Sequence, residues 1–376
     1  MNLLFISNDP NIGEEGSAVR LRMRAYAEEV AKTGGVLHII TRTKHGTTIT
    51  DGPLIIHGRR GKNLLAMRSL ARKLIKKEHV AVVSAQDPFE HGWVAVSAAR
   101  GTQAKLHIQL HTDAFSPWFV RSGISRSPKV RMPFLNRIRQ RTADRVLPKA
   151  DGVRVVSQRI KDSLIARYGE RMQGAQVIPI HVDTALPPKV PLPGAPFTFT
   201  LITVSRLEPE KRIQDILYAL AGLKEEYPSV GLMIVGEGSE RAQLERMVKQ
   251  LGLMEHVRFL GARADARGLM QSAQAYIQAS AYEGYGITLV EAALARVPII
   301  TTDVGIVGEV FKGNESVLSA PPGDPAQLLR NIQHLLLDES PRVSLPMRAA
   351  EAVQAHLASV HTEPADIIAD ITRLAV

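Results

Sequence analysis

SAYEGYGITLVEAALARVP, residues 280–298, decides how the rest of the chain is read. Glu283 and Glu291 stand eight positions apart across Gly284-Tyr285-Gly286, a loop that runs straight into a helical pattern. Glycines let the backbone turn tightly and come close to a ligand. A helix start at Gly286, Ile287 and Thr288 offers unpaired N–H groups and the positive end of a dipole, a seat for phosphate. That seat favours an anion by only about 0.3–1 kcal/mol when exposed and ~2 kcal/mol when partly buried. A phosphorylated ligand therefore needs cations from elsewhere in the chain. A plainer reading stands beside this one: Thr288-x-x-Glu291 fits a capping box, with Glu291 folded back on the backbone. Glu283, in a Gly-rich loop, has little packing to do.

The totals set the frame. A length of 376 residues suggests two or three domains, each able to bury a core. With 45% hydrophobic and 22% charged residues the chain reads as globular and not as disordered. It has no cysteine, which removes disulfides and thiolate chemistry and fits a reducing compartment. MNLLFISNDP reads as a first strand and not as a signal peptide, and no apolar run is long enough to span a bilayer. The expected location is cytoplasmic, with a peripheral position on the inner face of the membrane left open. The net charge of +10 is uneven: +16 through Pro193 and −6 from Gly194 onward. Such asymmetry points to an anionic partner for the first half, whether a membrane surface, a phosphorylated acceptor or nucleic acid.

Leu3-Leu4-Phe5-Ile6-Ser7 is an apolar run of the parallel-sheet kind. A polar loop with Gly13 and Gly16 follows, then a helix from near Ser17 with Val19, Met23, Tyr26, Ala27 and Val30 at helical spacing. Strands at 36–41, 80–84 and 105–111 alternate with helices at 64–77 and after Asp87-Pro88. Alternating βα units mean a parallel sheet with ligands bound beyond the carboxyl ends of its strands, where Asp87 and His111 fall. Asp113 either orients His111 or starts a turn. Residues 117–149 are the most basic segment, with Arg121, Arg126, Arg137 and Arg141 among nine cations and Asp144 the single acid. Trp118, Phe119 and Phe134 sit among them, while Leu135, Ile138, Thr142 and Val146 make one helical face. The pattern fits a membrane-surface element, a phosphate-bearing acceptor site, or a core-facing helix with a solvated basic side.

Residues 187–196 hold five prolines in ten and can be neither helix nor central strand, so they read as a linker. The second half opens with a strand at 197–204 and then Arg206-Leu207-Glu208-Pro209-Glu210-Lys211, whose two cations suit phosphate oxygens. Salt bridges to the neighbouring glutamates are the competing reading. Gly236-Glu237-Gly238 lacks the third glycine of a dinucleotide fingerprint, because Arg241 stands there, which argues against a dehydrogenase.

Glu283-Gly284-Tyr285-Gly286, Glu291-Ala292 and Pro298-Ile299-Ile300, together with Arg206-Leu207 and Lys211, closely resemble the signature of the retaining glycosyltransferases of family 4. The resemblance implies an α/β GT-B fold: two Rossmann-like parallel-sheet domains facing across a cleft, with a C-terminal helix returning to the first. It implies an acceptor domain at 1–186, the linker at 187–196, a nucleotide-sugar donor domain at 197–350 and closing helices at 351–376. Glu283, His111, Arg206 and Lys211 would be catalytic. Glu291, Gly284, Tyr285, Gly286, Ile287, Thr288, Gly236 and Gly16 would hold the donor. Arg121, Arg126, Arg137 and Arg141 are candidates for acceptor or membrane. Several positions depart from the family pattern: Arg212 and Arg296 stand where glycines are usual, Gln274 and Ala279 stand where Asp and Pro are usual, and Ile180-His181-Val182-Asp183 keeps only half of a turn.

The implied reaction moves a hexosyl group from a UDP- or GDP-sugar to a glycan or lipid-linked acceptor in polysaccharide or glycolipid assembly. No Asp-x-Asp occurs, and the expectation is transfer without metal or other cofactor. Two alternatives remain: a sugar-nucleotide epimerase of similar fold, and a protein that binds anionic surfaces or nucleic acid. Aromatic content of 5% argues against the nucleic-acid reading.

Overall fold

The structure is a computed structural model that describes residues 1–43, 46–61, 63–120, 132–194, 197–360 and 362–375. The chain forms two units. In the first, apolar runs buried on both faces form the strands and amphipathic segments the helices between them. They follow as β1 (Asn2–Ile6), α1 (Ala18–Ala31), β2 (Leu37–Arg42), β3 (Thr48–Asp51), β4 (Leu54–Arg59), α2 (Leu64–Lys77), β5 (Val80–Ala85) and α3 (Glu90–Ala99). β6 (Lys105–Leu110), α4 (Met132–Val146), β7 (Gly152–Val155), α5 (Gln158–Tyr168) and β8 (Gln176–Val177) continue the series. The sheet runs β3-β4-β2-β1-β5-β6-β7-β8, parallel apart from the β3–β4 hairpin. That hairpin was not anticipated. Its turn is Gly52-Pro53, and β3 alternates between exposed and half-buried residues at the sheet edge.

The second unit contains β9 (Phe199–Val204), α6 (Ile213–Ala221), β10 (Val230–Val235), α7 (Arg241–Gln250), β11 (Val257–Gly261), α8 (Ala266–Met270) and β12 (Ala275–Ile277). α9 (Ile287–Leu294), β13 (Ile299–Thr302), β14 (Leu318–Ala320), α10 (Pro325–Leu337) and α11 (Glu339–Ser359) complete it. Its sheet is parallel throughout, in the order β11-β10-β9-β12-β13-β14. That is the doubly wound order, which reverses between β9 and β12. The core is Leu201, Leu232, Ile234, Ile277 and Ile300 on the strands, packed against Ile216, Leu220, Leu328 and Ile332. Each such side chain stabilises the fold by roughly 1.5–3 kcal/mol.

The units do not follow the sequence halves. The first takes Met1–Phe115, Met132–His181 and His361–Val376, and the second takes Ser116–Arg131 and Val182–Val360. A last helix, α12 (Pro364–Thr372), belongs to the first unit and lays Ile367, Ile368 and Ile371 on the core formed with Met23, Tyr26 and Ala27 of α1. His107 Nε2 meets Asp370 Oδ2 at 3.1 Å, and Ser84 Oγ lies 2.9 Å from His107 Nδ1. Gln109 Nε2 donates to Ser84 Oγ, and Arg154 donates to Gln109 Oε1. Burial pushes the His107 imidazole down, so it is neutral, donating from Nε2 to Asp370 and accepting at Nδ1. Every donor in this buried chain then has an acceptor.

α4 corrects one expectation. Val146 is buried, but Leu135 and Ile138 are 42% exposed, and the inward face is carried by Asn136, Ala143 and Val146. Trp118 and Phe119 also leave the expected basic surface, because they belong to the second unit.

Candidate functional site

Loops beyond the carboxyl ends of β9 and β12, where the strand order of the second unit reverses, gather most of the predicted residues. Residues 205–211 leave β9 and turn through a short 3-10 helix, Pro209–Lys211. The turn leans on the loop after β12, where Ala281 N donates to Glu210 O at 2.7 Å. Lys211 Nζ consequently reaches Glu283 Oε1 at 2.5 Å, and Ser280 Oγ donates to the same oxygen at 2.7 Å. Both side chains of the ion pair are about 15% exposed. Arg206 stays outside this pair: its guanidinium is 71% exposed and meets Glu210 at 3.0 Å. The competing reading of local salt bridges therefore holds for Arg206, while Lys211 reaches across 72 positions of sequence.

Gly236 packs against the same loop. A Cβ on Gly236 would lie 1.8 Å from Ser205 O, so only glycine lets β10 end beneath the β9 loop. Gly286, at φ +98, is the N-cap of α9 and supplies no side-chain acceptor. The N–H groups of Ile287 and Thr288 thus have no acceptor among the described residues. Thr288 and Glu291 do not form a capping box. Thr288 sits inside the helix and its Oγ1 donates to Gln278 Oε1 at 3.1 Å, while Tyr276 OH donates to Thr288 Oγ1 at 2.9 Å. Tyr285 was a donor-binding candidate, but its ring is buried and its hydroxyl lies 2.9 Å from His356 Nε2 of α11. Gly284 lies in the loop between Glu283 and that buried ring.

Glu291 lies on α9, mostly buried, with its Oε1 3.8 Å from Arg267 Nε of α8. Burial pushes its carboxyl above the ordinary range and the Arg267 charge opposes the rise. Arg267 is itself anchored, donating from one terminal nitrogen to Asp183 O and Ala185 O at 2.8 Å each. Sequence reasoning missed Arg267, which belongs to no motif and reaches partners 84 and 82 positions away. Four buried side-chain polar atoms have no hydrogen-bond partner among the described residues: Arg42 Nε, Ser205 Oγ, Arg267 Nε and Gln278 Nε2. Three of these belong to the loops and helices just described. Native interiors leave few such groups.

Arg212, the residue after Lys211, stood out in the sequence only as a departure from the family's glycine. It sits at φ +48, pairs with Asp215 through Nε at 2.6 Å, and lies over the Trp118 ring at 5.5 Å. Phe119 meets Tyr282 edge to face at 5.4 Å. Two aromatics from residues 117–119 therefore flank the neighbours of Lys211 and Glu283.

The first unit holds the remaining candidates. His111 follows β6 and is partly buried; burial, with Arg154 and Arg22 adding to it, pushes its imidazole down to about 3. It is a neutral hydrogen-bonding group at ordinary pH. Asp113 Oδ1 accepts from Phe115 N at 3.3 Å, the turn-starting alternative. Asp87 caps the start of α3 and bonds His91 Nδ1. Gly16, at φ +73, precedes the Ser17 cap of α1 and has open space around its α-carbon. Arg137 and Arg141 are exposed on α4, whereas Arg121 and Arg126 lie outside the described residues. Among the described residues no three His, Asp or Glu side chains are grouped to hold a metal ion. No helix there is long and apolar enough to cross a membrane.

Comparisons with known proteins match both parts of the chain. The family described as Glycosyltransferase Family 4 matches residues 20–186, and Glycosyl transferases group 1 matches residues 195–355. The chain is 27% identical over 213 residues to a glycogen synthase of Mycobacterium tuberculosis, covering 56% of this chain and 50% of that protein. It is 36% identical over 151 residues to the phosphatidyl-myo-inositol mannosyltransferase of Mycobacterium leprae, 39% of each. The chain thus spans about half, or less, of the curated relatives it matches. Among solved structures, the sucrose-phosphate synthase of Thermosynechococcus elongatus superimposes with a TM-score of 0.77 at 20% identity, over 99% of this chain and 98% of that one. Anabaena HepE in complex with UDP-glucose does so with a TM-score of 0.72 at 20% identity, over 98% of both. Two parallel sheets, the motif residues gathered at the second sheet's strand-order reversal, and matches to both halves agree: the chain belongs to glycosyltransferase family 4 and has the GT-B fold.

Proposed function

We propose that this protein transfers a hexosyl group, with retention of anomeric configuration, from a UDP- or GDP-sugar to a glycan or lipid-linked acceptor. The observation that carries the reading is the Lys211–Glu283 pair beside the open start of α9, at the point where the strand order reverses. The HepE complex with UDP-glucose, a protein of the same fold, supports a nucleotide-sugar donor.

In this reading Lys211 and Arg206 hold the diphosphate with the N–H groups of Ile287 and Thr288. Departure of the nucleoside diphosphate builds negative charge there, and cations and oriented N–H groups stabilise it. Glu291 accepts the ribose hydroxyls, Glu283 the sugar hydroxyls, and neutral His111 a further sugar hydroxyl. Glu283 Oε1 already accepts from Lys211 and Ser280, which favours a positioning carboxylate over a nucleophile. Transfer in this reading is same-face: the acceptor oxygen bonds to the anomeric carbon, the carbon–phosphate oxygen bond breaks, and the leaving phosphate takes the acceptor's proton. Protein cations stand where a metal ion otherwise would.

The test incubates the protein with a panel of UDP- and GDP-sugars and simple glycoside or lipid-linked acceptors, following nucleoside diphosphate release and product anomer. Lys211→Ala should lower kcat about 10²–10³-fold, as loss of one charge-stabilising group does. Activity should survive EDTA. Donor conversion without acceptor would replace the proposal with an epimerase; loss of all activity in EDTA would remove the metal-free step.

A further inference from the structure

α4 carries an outer face that neither the fold nor the proposed reaction uses. Phe134, Leu135 and Ile138 are 66%, 42% and 42% exposed. Arg137, Arg141 and Arg145 are exposed too; Arg137 and Arg141 have no acidic partner among the described residues, while Arg145 feels the charge of Asp144. At about 100° per residue these six side chains fall within an arc of about 160°. The helix offsets the charge of that arc only in part. Its single acid, Asp144, is turned to Arg167 at 2.7 Å and to Tyr168, while Arg139 is turned to Glu90 at 3.1 Å. Large apolar groups thus lead the N-terminal half of the outer face and exposed guanidinium groups its C-terminal half.

We propose that this face of α4 docks the protein on an anionic lipid surface. A dissolved phosphate or a nucleic-acid backbone engages arginines and gains nothing from three aliphatic and aromatic side chains beside them. The boundary between headgroups and acyl chains rewards both at once. A second copy of this chain is disfavoured, because a two-fold contact would set like charges against each other. The inference is independent of the transfer reaction.

Sedimentation with mixed phosphatidylcholine–phosphatidylglycerol vesicles, against pure phosphatidylcholine, tests it. The intact protein should pellet with the mixed vesicles at low salt and be released as salt screens the attraction. Replacing Arg137, Arg141 and Arg145 together by Gln should lower partitioning by about tenfold or more. Replacing Phe134, Leu135 and Ile138 together by Ser should leave weaker binding that vanishes at moderate salt. Unchanged nucleoside-diphosphate affinity and melting would show both variants folded. No binding to mixed vesicles, or equal binding by all three proteins, overturns the proposal. So does light scattering in which the apolar variant turns a dimer into a monomer without changing vesicle binding.

Discussion

At the scale of single residues, Arg267 is the side chain whose removal says most about the proposed donor site. Its guanidinium lies 3.8 Å from a Glu291 carboxyl that burial pushes up, and it opposes that rise. Only an ionised Glu291 accepts from two ribose hydroxyls, so nucleotide affinity should fall as pH drops through its raised pKa. Taking away the opposing charge raises that pKa further. Arg267→Gln should therefore move the fall in affinity to higher pH, and Arg267→Lys should restore part of the shift. Calorimetric titration of nucleoside diphosphate across pH reads both. A Glu291→Gln variant that binds as well as wild type would remove the ribose role. Superimposable profiles for Arg267→Gln, with Glu291→Gln weakened, would remove the Arg267 role alone. Arg267 was illegible in the sequence because its work depends on carbonyls more than eighty positions away. Lys211 and Glu283 were legible one by one as chemistry-bearing residues, but their pairing is a product of the fold.

At the scale of elements, two departures from the family pattern turn out to share a conformation. Arg212 and Arg296 stand where glycine is usual, and both are left-handed, at φ +48 and φ +54. Arg296 ends α9: its N–H donates to Ala293 O and that of Val297 to Ala292 O, the paired bonds of a Schellman motif. It is exposed. Arg296→Gly should stabilise the protein by roughly 0.5–1 kcal/mol, since relief of about 1–2 kcal/mol of strain outweighs glycine's extra chain entropy. Arg212→Gly should do the opposite. It gains the same relief but loses two charged hydrogen bonds to Asp215, each worth about 1.5–3 kcal/mol, for a net loss of roughly 2–5 kcal/mol. Thermal melts of the two variants should shift in opposite directions. The alternation of strands and helices was legible because buried parallel strands such as β1 and β10 are unbroken apolar runs. The β3–β4 hairpin was not, because its edge strand buries nothing fully. Nor was the face of α4, where helical spacing of Leu135, Ile138 and Val146 hides which members find neighbours.

At the scale of the whole molecule, the first unit is assembled from three separate stretches of chain, the last of them α12. Burial pushes the Asp370 carboxyl up, but His107 and Arg373 outweigh it and hold it below the usual carboxylate range. A depressed carboxyl contributes stability that is full above its unfolded pKa and lost as pH falls through the folded value. Denaturant melts should accordingly weaken in that acidic window, and Asp370→Asn should flatten the dependence while leaving the protein weaker at neutral pH. A profile unchanged by Asp370→Asn would show that the bond to His107 carries no stability. α12 also covers α1 with three isoleucines, yet it lies beyond the entire second unit in sequence. During synthesis, then, the apolar flank of the first sheet emerges from the ribosome long before its cover exists. The nascent chain must wait, shielded by chaperones or by its own provisional contacts, until the second unit has been translated.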